Sequence, residues 1–172
     1  NVLDFTKRME DCGAAMVTVH GRTRSMLYSG VADWDTITKV KQQLSVPVLA
    51  NGDIVDGKTA CDCRRRTGAD GIMIGRATFG DPWIFADARA ALEGREAPQR
   101  PPLKERVDVA LRQFELARQD KGEHIACLEA RKHFAWYLRG VSHSSYYKAQ
   151  ISAISTMEDI YRIAEGIKKD LV

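Results

Sequence analysis

The chain has 172 residues, the length of one ordinary domain or of two small ones. Hydrophobic residues make up 44% and charged residues 28%, a globular balance that excludes a disordered chain. The 26 basic and 23 acidic residues leave a net charge of +3, spread too evenly along the chain to imply a nucleic-acid partner by itself.

The first residues already follow a helical pattern, with Val2, Phe5, Met9 and Cys12 recurring at helical spacing up to Gly13, a natural left-handed cap. With no initiating Met, the chain is expected to be the later part of a longer protein. Residues 15–20 are short, β-branched and mostly apolar, as a buried parallel strand is. A loop over 21–33 leads to a helix beginning near Asp33 to Asp35, with Ile37, Val40 and Leu44 on one face. Residues 46–51 form a second strand, with Pro47 near its start, where proline is tolerated. Asp56 caps a third helix ending at Gly68, residues 69–75 read as a third strand, and Pro82 suits the first turn of a helix running to about Glu93. The strand centres Val17, Val48 and Ile72 are 31 and 24 residues apart, the spacing of βα units, so three parallel neighbouring strands are expected. Three strands cannot close a barrel of eight, which leaves an open sheet or a piece of a barrel.

The composition changes near residues 94–102. Residues 96–102 hold three of the five prolines and read as a linker between units at 1–95 and 103–172. The second unit reads as a small helical bundle, with helices over 103–121, 123–139, 146–154 and 157–169 and a polar connector at 142–145. No apolar run approaches the ~20 residues that span a bilayer, and the start lacks a signal pattern. A membrane or secreted protein is therefore not expected, and a cytoplasmic one is. The four cysteines, Cys12, Cys61, Cys63 and Cys127, form no C-x-x-C and join no zinc-spaced His/Cys cluster, so free thiols and no metal are expected.

In βα architectures, function collects at the carboxyl ends of the strands. Here those ends read His20-Gly21-Arg22-Thr23-Arg24, Asn51-Gly52-Asp53 and Gly75-Arg76. Glycine lets a backbone approach a ligand, and arginine supplies a forked cation suited to phosphate. Taken singly, Asn51-Gly52-Asp53 and Gly75-Arg76 read equally well as tight turns; three polar strand ends together favour an anion site. His20 reads either as a buried, hydrogen-bonded histidine or, beside Arg22 and Arg24, as part of that pocket. Arg64, Arg65 and Arg66 read as a solvated helix end, and Tyr28, Trp34, Trp83 and Phe85 as packing residues. In the second unit Lys132, Trp136 and Arg139 share one face, with Arg131 and His133 adding polar groups. On spacing alone that face fits a nucleic acid and a solvated helix equally.

Several stretches in combination resemble the tRNA-dihydrouridine synthases. These are His20-Gly21-Arg22-Thr23-Arg24, Tyr28-Ser29-Gly30, Ala32-Asp33-Trp34, residues 47–53, residues 68–76 and residues 80–85 for the later strands of the family's barrel. Arg131-Lys132-His133 and residues 136–140 resemble its C-terminal helical domain. The resemblance implies the C-terminal part of a (β/α)8 TIM barrel, contributing three parallel strands, followed by a small all-helical tRNA-binding domain. It implies an FMN-dependent, NADPH-linked reduction of uridine to 5,6-dihydrouridine in tRNA. By family pattern His20, Asn51, Gly52, Asp53, Gly75 and Arg76 surround FMN, while Arg22, Arg24, Arg131, Lys132, His133 and Arg139 meet tRNA.

The departures are equally specific. The family's catalytic cysteine lies in an Asn-Cys-Gly-Cys-Pro type stretch, and none of the four cysteines here sits in such a context. The family's flavin-contacting lysine and five of eight strands are also missing. No catalytic residue is therefore assigned in this chain, and the chain alone is expected to be inactive. Competing readings are another FMN- or phosphate-binding barrel oxidoreductase, which would not need the cationic helix, and a non-catalytic RNA-binding fragment.

Overall fold

The computed structural model describes residues 1–171. It is an α/β structure with three parallel strands and eight α-helices among the described residues, divided into two compact units. One unit comprises Asn1–Thr78 and Trp83–Pro98; the other comprises Phe79–Pro82 and the chain from Gln99 onward.

The first unit runs α1 (Val2–Asp11), β1 (Val17–His20), α2 (Trp34–Gln43), β2 (Val48–Asn51), α3 (Gly57–Thr67), β3 (Gly71–Met73) and α4 (Ile84–Leu92). The strands lie in the order β1-β2-β3. Val17 pairs with Val48 and His20 with Asn51, and Asn51 pairs in turn with Met73. Their carboxyl ends therefore meet along one edge. The strands are shorter than the apolar runs suggest. Pro47 has no N–H to give to a ladder, and its carbonyl instead accepts from Val17 N at 3.0 Å, just ahead of β2.

Side chains close the core that holds those strand ends. Val19, Val48 and Ala50 are buried from the sheet, and Ile37, Val40, Ala60, Cys63 and Ala88 meet them from the helices. Asp33 accepts from Thr36 N at 3.0 Å to cap α2, while Asp56 and Thr59 form a reciprocal capping box on α3. Gly68 ends α3 in the left-handed conformation, at φ 65.

Helix α1 forms where its periodicity places it; its Val2/Phe5/Met9 stripe is exposed, and the helix buries Thr6, whose Oγ1 donates back to the Val2 carbonyl at 2.9 Å. One expectation changes in this unit. After β3 the chain makes only a short 3-10 turn (Arg76–Thr78), and α4 begins at Ile84 with Trp83 as its cap, so Pro82 precedes the helix.

The second unit carries α5 (Leu103–Lys121), α6 (Glu123–Tyr137), α7 (Ser145–Ser152) and α8 (Met157–Asp170). Phe114 of α5 and Phe134 of α6 pack with ring centroids 5.4 Å apart in its interior. Ile151, Ile160, Ile163 and Ile167 are fully buried there. Thr156 and Asp159 form a capping box at the start of α8.

Helix α6 stops at Tyr137, two residues short of Arg139. The buried Arg106 of α5 donates through Nη2 to the Tyr137 carbonyl, and Gly140 turns the chain at φ 77. Gly80 packs so tightly on α6 that a Cβ there would lie 2.5 Å from the Trp136 oxygen and from the Tyr137 nitrogen. No described helix is long and apolar enough to cross a membrane.

Candidate functional site

The ends of β1, β2 and β3 are joined by a clamp built on Asp53. The chain leaves β2 through Gly52 at φ 122, where a Cβ would stand 2.8 Å from the Ala32 Cβ, so only glycine fits. Asp53 follows in the left-handed region at φ 55, a costly conformation for a residue with a side chain. Its carboxylate repays that cost in contacts. Arg22 donates to Oδ1 and Oδ2 at 2.7 and 2.8 Å, and Ala32 N donates to Oδ2 at 2.8 Å. The Arg76 guanidinium stands 3.6 Å from Oδ1.

The Arg22 hydrogen bonds, helped by the Ala32 amide and the two guanidinium charges, hold the Asp53 carboxyl below its ordinary range against the opposing effect of burial. Arg22 is spent inward, its side chain only 4% exposed, and it also donates to the carbonyls of Ser29 and Gly30. The Trp34 indole donates to the Gly52 carbonyl at 3.0 Å. The loop after β1 is thus tied to the turn after β2.

Around this clamp lie groups facing outward. His20 is exposed, and its Nδ1 accepts from Arg22 N at 3.0 Å, which assigns the proton of the neutral ring to Nε2. Its Cε1 lies 3.6 Å from where a Cβ on Gly52 would be. Asn51 donates through Nδ2 to the Met73 carbonyl at 2.7 Å, bridging β2 to β3. Gly75 opens onto free space, with nothing within 4 Å of a Cβ built on it. Arg76 is half exposed, and its guanidinium carbon sits 4.2 Å from the centre of the Tyr28 ring. Arg24 is exposed and makes no ion pair among the described residues. The structure brings His20, Asn51, Gly52, Asp53 and Arg76 to one edge of the sheet.

The candidate residues of the second unit divide into two sets. Arg131 donates through Nε to the Ile154 carbonyl at 2.8 Å. His133 packs edge-on against Phe79 and Trp136, with centroids at 5.8 and 4.9 Å, and burial pulls its pKa down. Phe79 and Trp136 stack at 4.3 Å. Lys132 and Arg139 are exposed and without ion pairs among the described residues, but Arg139 lies beyond the end of α6 and leaves the helical face it was read onto.

Sequence reasoning missed the Arg22–Asp53 clamp, the Tyr28–Arg76 stack and the inward Arg106. Only the last had a signal, a charged residue at a stripe position between Leu103 and Ala110.

Among the described residues no three His, Cys, Asp or Glu side chains gather as a metal site. All four cysteines are free thiols. None stands at the strand ends, and burial pushes Cys63 up to about 11.

The family model for dihydrouridine synthase matches residues 1–170. The chain is 38% identical over 166 residues to the tRNA-dihydrouridine synthase B of Pasteurella multocida, covering 96% of this chain and 50% of that one. It is 37% identical over 167 residues to a probable tRNA-dihydrouridine synthase of Rickettsia conorii, covering 97% and 50%. Against a probable tRNA-dihydrouridine synthase of Mycobacterium leprae it is 40% identical over 159 residues, covering 92% and 41%. The chain spans about half the length of the curated relatives it matches.

Proposed function

The chain belongs to the dihydrouridine synthase family, and from that premise we propose that it is the C-terminal part of a flavoenzyme that reduces uridine in tRNA to 5,6-dihydrouridine. In this reading β1, β2 and β3 are the last three strands of a (β/α)8 barrel, FMN is the cofactor and NADPH the reductant. Bound flavin would supply hydride transfer from the nicotinamide to the uracil ring. Localisation follows the substrate, with tRNA modification placed in the cytoplasm.

The strand ends have the chemistry such a cofactor requires. Gly75 leaves room where a phosphate would approach, and Arg76 offers a half-exposed guanidinium whose contact with Asp53 is a long one, at 3.6 Å. His20 offers an Nε2–H donor to a flavin edge. Asn51 holds the β2 tip against the β3 tip, while Gly52 and Asp53 fix the turn beside it. Arg22 acts by locking Asp53 rather than by meeting the ligand.

For tRNA, the free cations Arg24, Lys132 and Arg139 suit the phosphate backbone. Arg131 and His133 act by holding the elements around them, through the Ile154 carbonyl and the Phe79–Trp136 pair. The acid that protonates the uracil belongs to the part of the enzyme that this chain does not contain, so the chain alone is inactive.

The observation that carries the reading is the meeting of the three strand tips, with His20 paired to Asn51 and Arg76 within 3.6 Å of Asp53. The test is a fluorescence-quenching titration of the 172-residue chain with FMN, beside Arg76→Gln, together with an assay for NADPH-dependent dihydrouridine in unmodified tRNA. The reading expects FMN binding that Arg76→Gln weakens about tenfold or more, and no turnover. Equal binding by both chains overturns the phosphate assignment, and turnover overturns the claim that the catalytic acid lies elsewhere. Salt-insensitive tRNA binding would leave no role for the free cations.

A further inference from the structure

We propose that Tyr28 is a positioning residue for the phosphate grip, its ring holding the Arg76 guanidinium at the tip of β3; this rests on the reading of Gly75 and Arg76 as the flavin phosphate site. Arg76 has two neighbours that constrain it. Asp53 attracts it from 3.6 Å, but that carboxylate is already engaged bidentately by Arg22. Tyr28 lies beneath its plane at 4.2 Å, a cation–π distance. The ring therefore aims the guanidinium while leaving its donors free, whereas a closer salt bridge would occupy them.

The loop is built to present that ring. Tyr28 is 68% exposed, so packing does not account for its place. Leu27, just before it, is held at φ 49, a conformation side-chain residues rarely adopt, and is itself 71% exposed. Ser29 fastens the turn, its N and Oγ both donating to the Met26 carbonyl at 2.9 and 2.7 Å. Arg22 then takes the carbonyls of Ser29 and Gly30 at 3.1 and 2.8 Å. The buried Arg22 side chain, paired with the partly exposed Asp53, thus fixes both the loop that carries Tyr28 and the carboxylate facing Arg76. A positively charged group lying on an open aromatic face is ready for an anion approaching from the other side.

The test compares wild type, Tyr28→Phe and Tyr28→Leu, with FMN and riboflavin as probes, by quenching of flavin fluorescence. Tyr28→Leu is expected to weaken FMN roughly two- to fivefold and leave riboflavin unchanged, since the ring acts through Arg76 on the phosphate alone. Tyr28→Phe keeps the ring and is expected to match wild type with both probes. Unchanged FMN affinity in Tyr28→Leu, equal losses for both probes, or Tyr28→Phe as weak as Tyr28→Leu overturns the role. Wild type that binds FMN no more tightly than riboflavin overturns the phosphate reading and the role with it. The stack has its own readout: the Arg76 Nε–Hε NMR signal should sit upfield in wild type and Tyr28→Phe and move downfield in Tyr28→Leu. A signal that stays in place overturns the inference while leaving the phosphate reading standing.

Discussion

Replacing Asp53 by Asn keeps the shape of the clamp and removes its charge. In the wild type, the carboxylate accepts two hydrogen bonds from Arg22, whose side chain is 4% exposed, and one from Ala32 N. The Asn amide can accept at one position and must present N–H groups to a donor at the other. The buried guanidinium keeps the Ser29 and Gly30 carbonyls and at most one bond, to the neutral amide oxygen. A charge-assisted hydrogen bond contributes about 1.5–3 kcal/mol, and stranding a buried charge costs about 3–5 kcal/mol. Asp53 is itself partly exposed, so water recovers some of this, and a loss of about 3 kcal/mol is expected at pH 7. With a urea slope of about 2 kcal/mol/M, the midpoint of the first unit should fall by roughly 1.5 M.

The pH dependence follows from the direction of the shift. Asp53 is held below its ordinary range in the folded state, so its stabilisation is present above the unfolded carboxyl value, about 3.9, and is lost as pH falls through the folded one. The gap between wild type and Asp53→Asn should therefore be widest near neutrality and shrink below about pH 4. Urea titrations followed by tryptophan fluorescence, repeated from pH 7 to pH 3, measure it. A loss under about 0.5 kcal/mol, or a gap that does not change with pH, would refute the clamp.

Gly80→Ala should be severe in the second unit, because the added methyl meets the Trp136 and Tyr137 backbone at a φ of 72; thermal melting is expected to show a loss above about 2 kcal/mol. Lys132→Ala and Arg139→Ala should each weaken tRNA binding to the chain and flatten its log–log salt slope by about one unit, measured by filter binding across salt concentrations. Under native conditions Cys12, which is exposed, should react with a thiol reagent first and Cys63, buried and pushed up to about 11, last; equal rates by mass spectrometry would contradict the packing of α3. The exposed Phe5, Met16, Met73 and Phe85 and the outer edges of β1 and β3, which pair with no further strand among the described residues, predict self-association, visible by light scattering as a mass that rises with concentration.

The order of helices and strands was legible because it depends on local chemistry. The apolar runs, Asp56 before α3 and Gly68 after it all act within a few residues. Boundaries were less legible where a distant residue decides them, as at the end of α6, where Arg106, 31 residues away, takes the Tyr137 carbonyl. The strand-end position of His20, Asn51 and Arg76 followed from the βα spacing. The partners did not. Asp53 meets Arg22 across 31 residues, and nothing local distinguishes an arginine spent on a carboxylate from one facing solvent. Tyr28 read as a packing residue for the same reason, since its contact with Arg76 exists only once β1 and β3 flank β2. The apolar stripe of α1 marked a helix, and its face is exposed. Periodicity shows that a face is apolar, not that anything covers it.

The most direct measurement is the 31P NMR signal of FMN titrated with the 172-residue chain and with Arg76→Gln. A phosphate held beside Gly75 and Arg76 predicts a shifted, broadened signal with wild type that returns toward the free position with Arg76→Gln and is unaffected by Lys132→Ala. An identical phosphorus signal with wild type and Arg76→Gln would contradict the account.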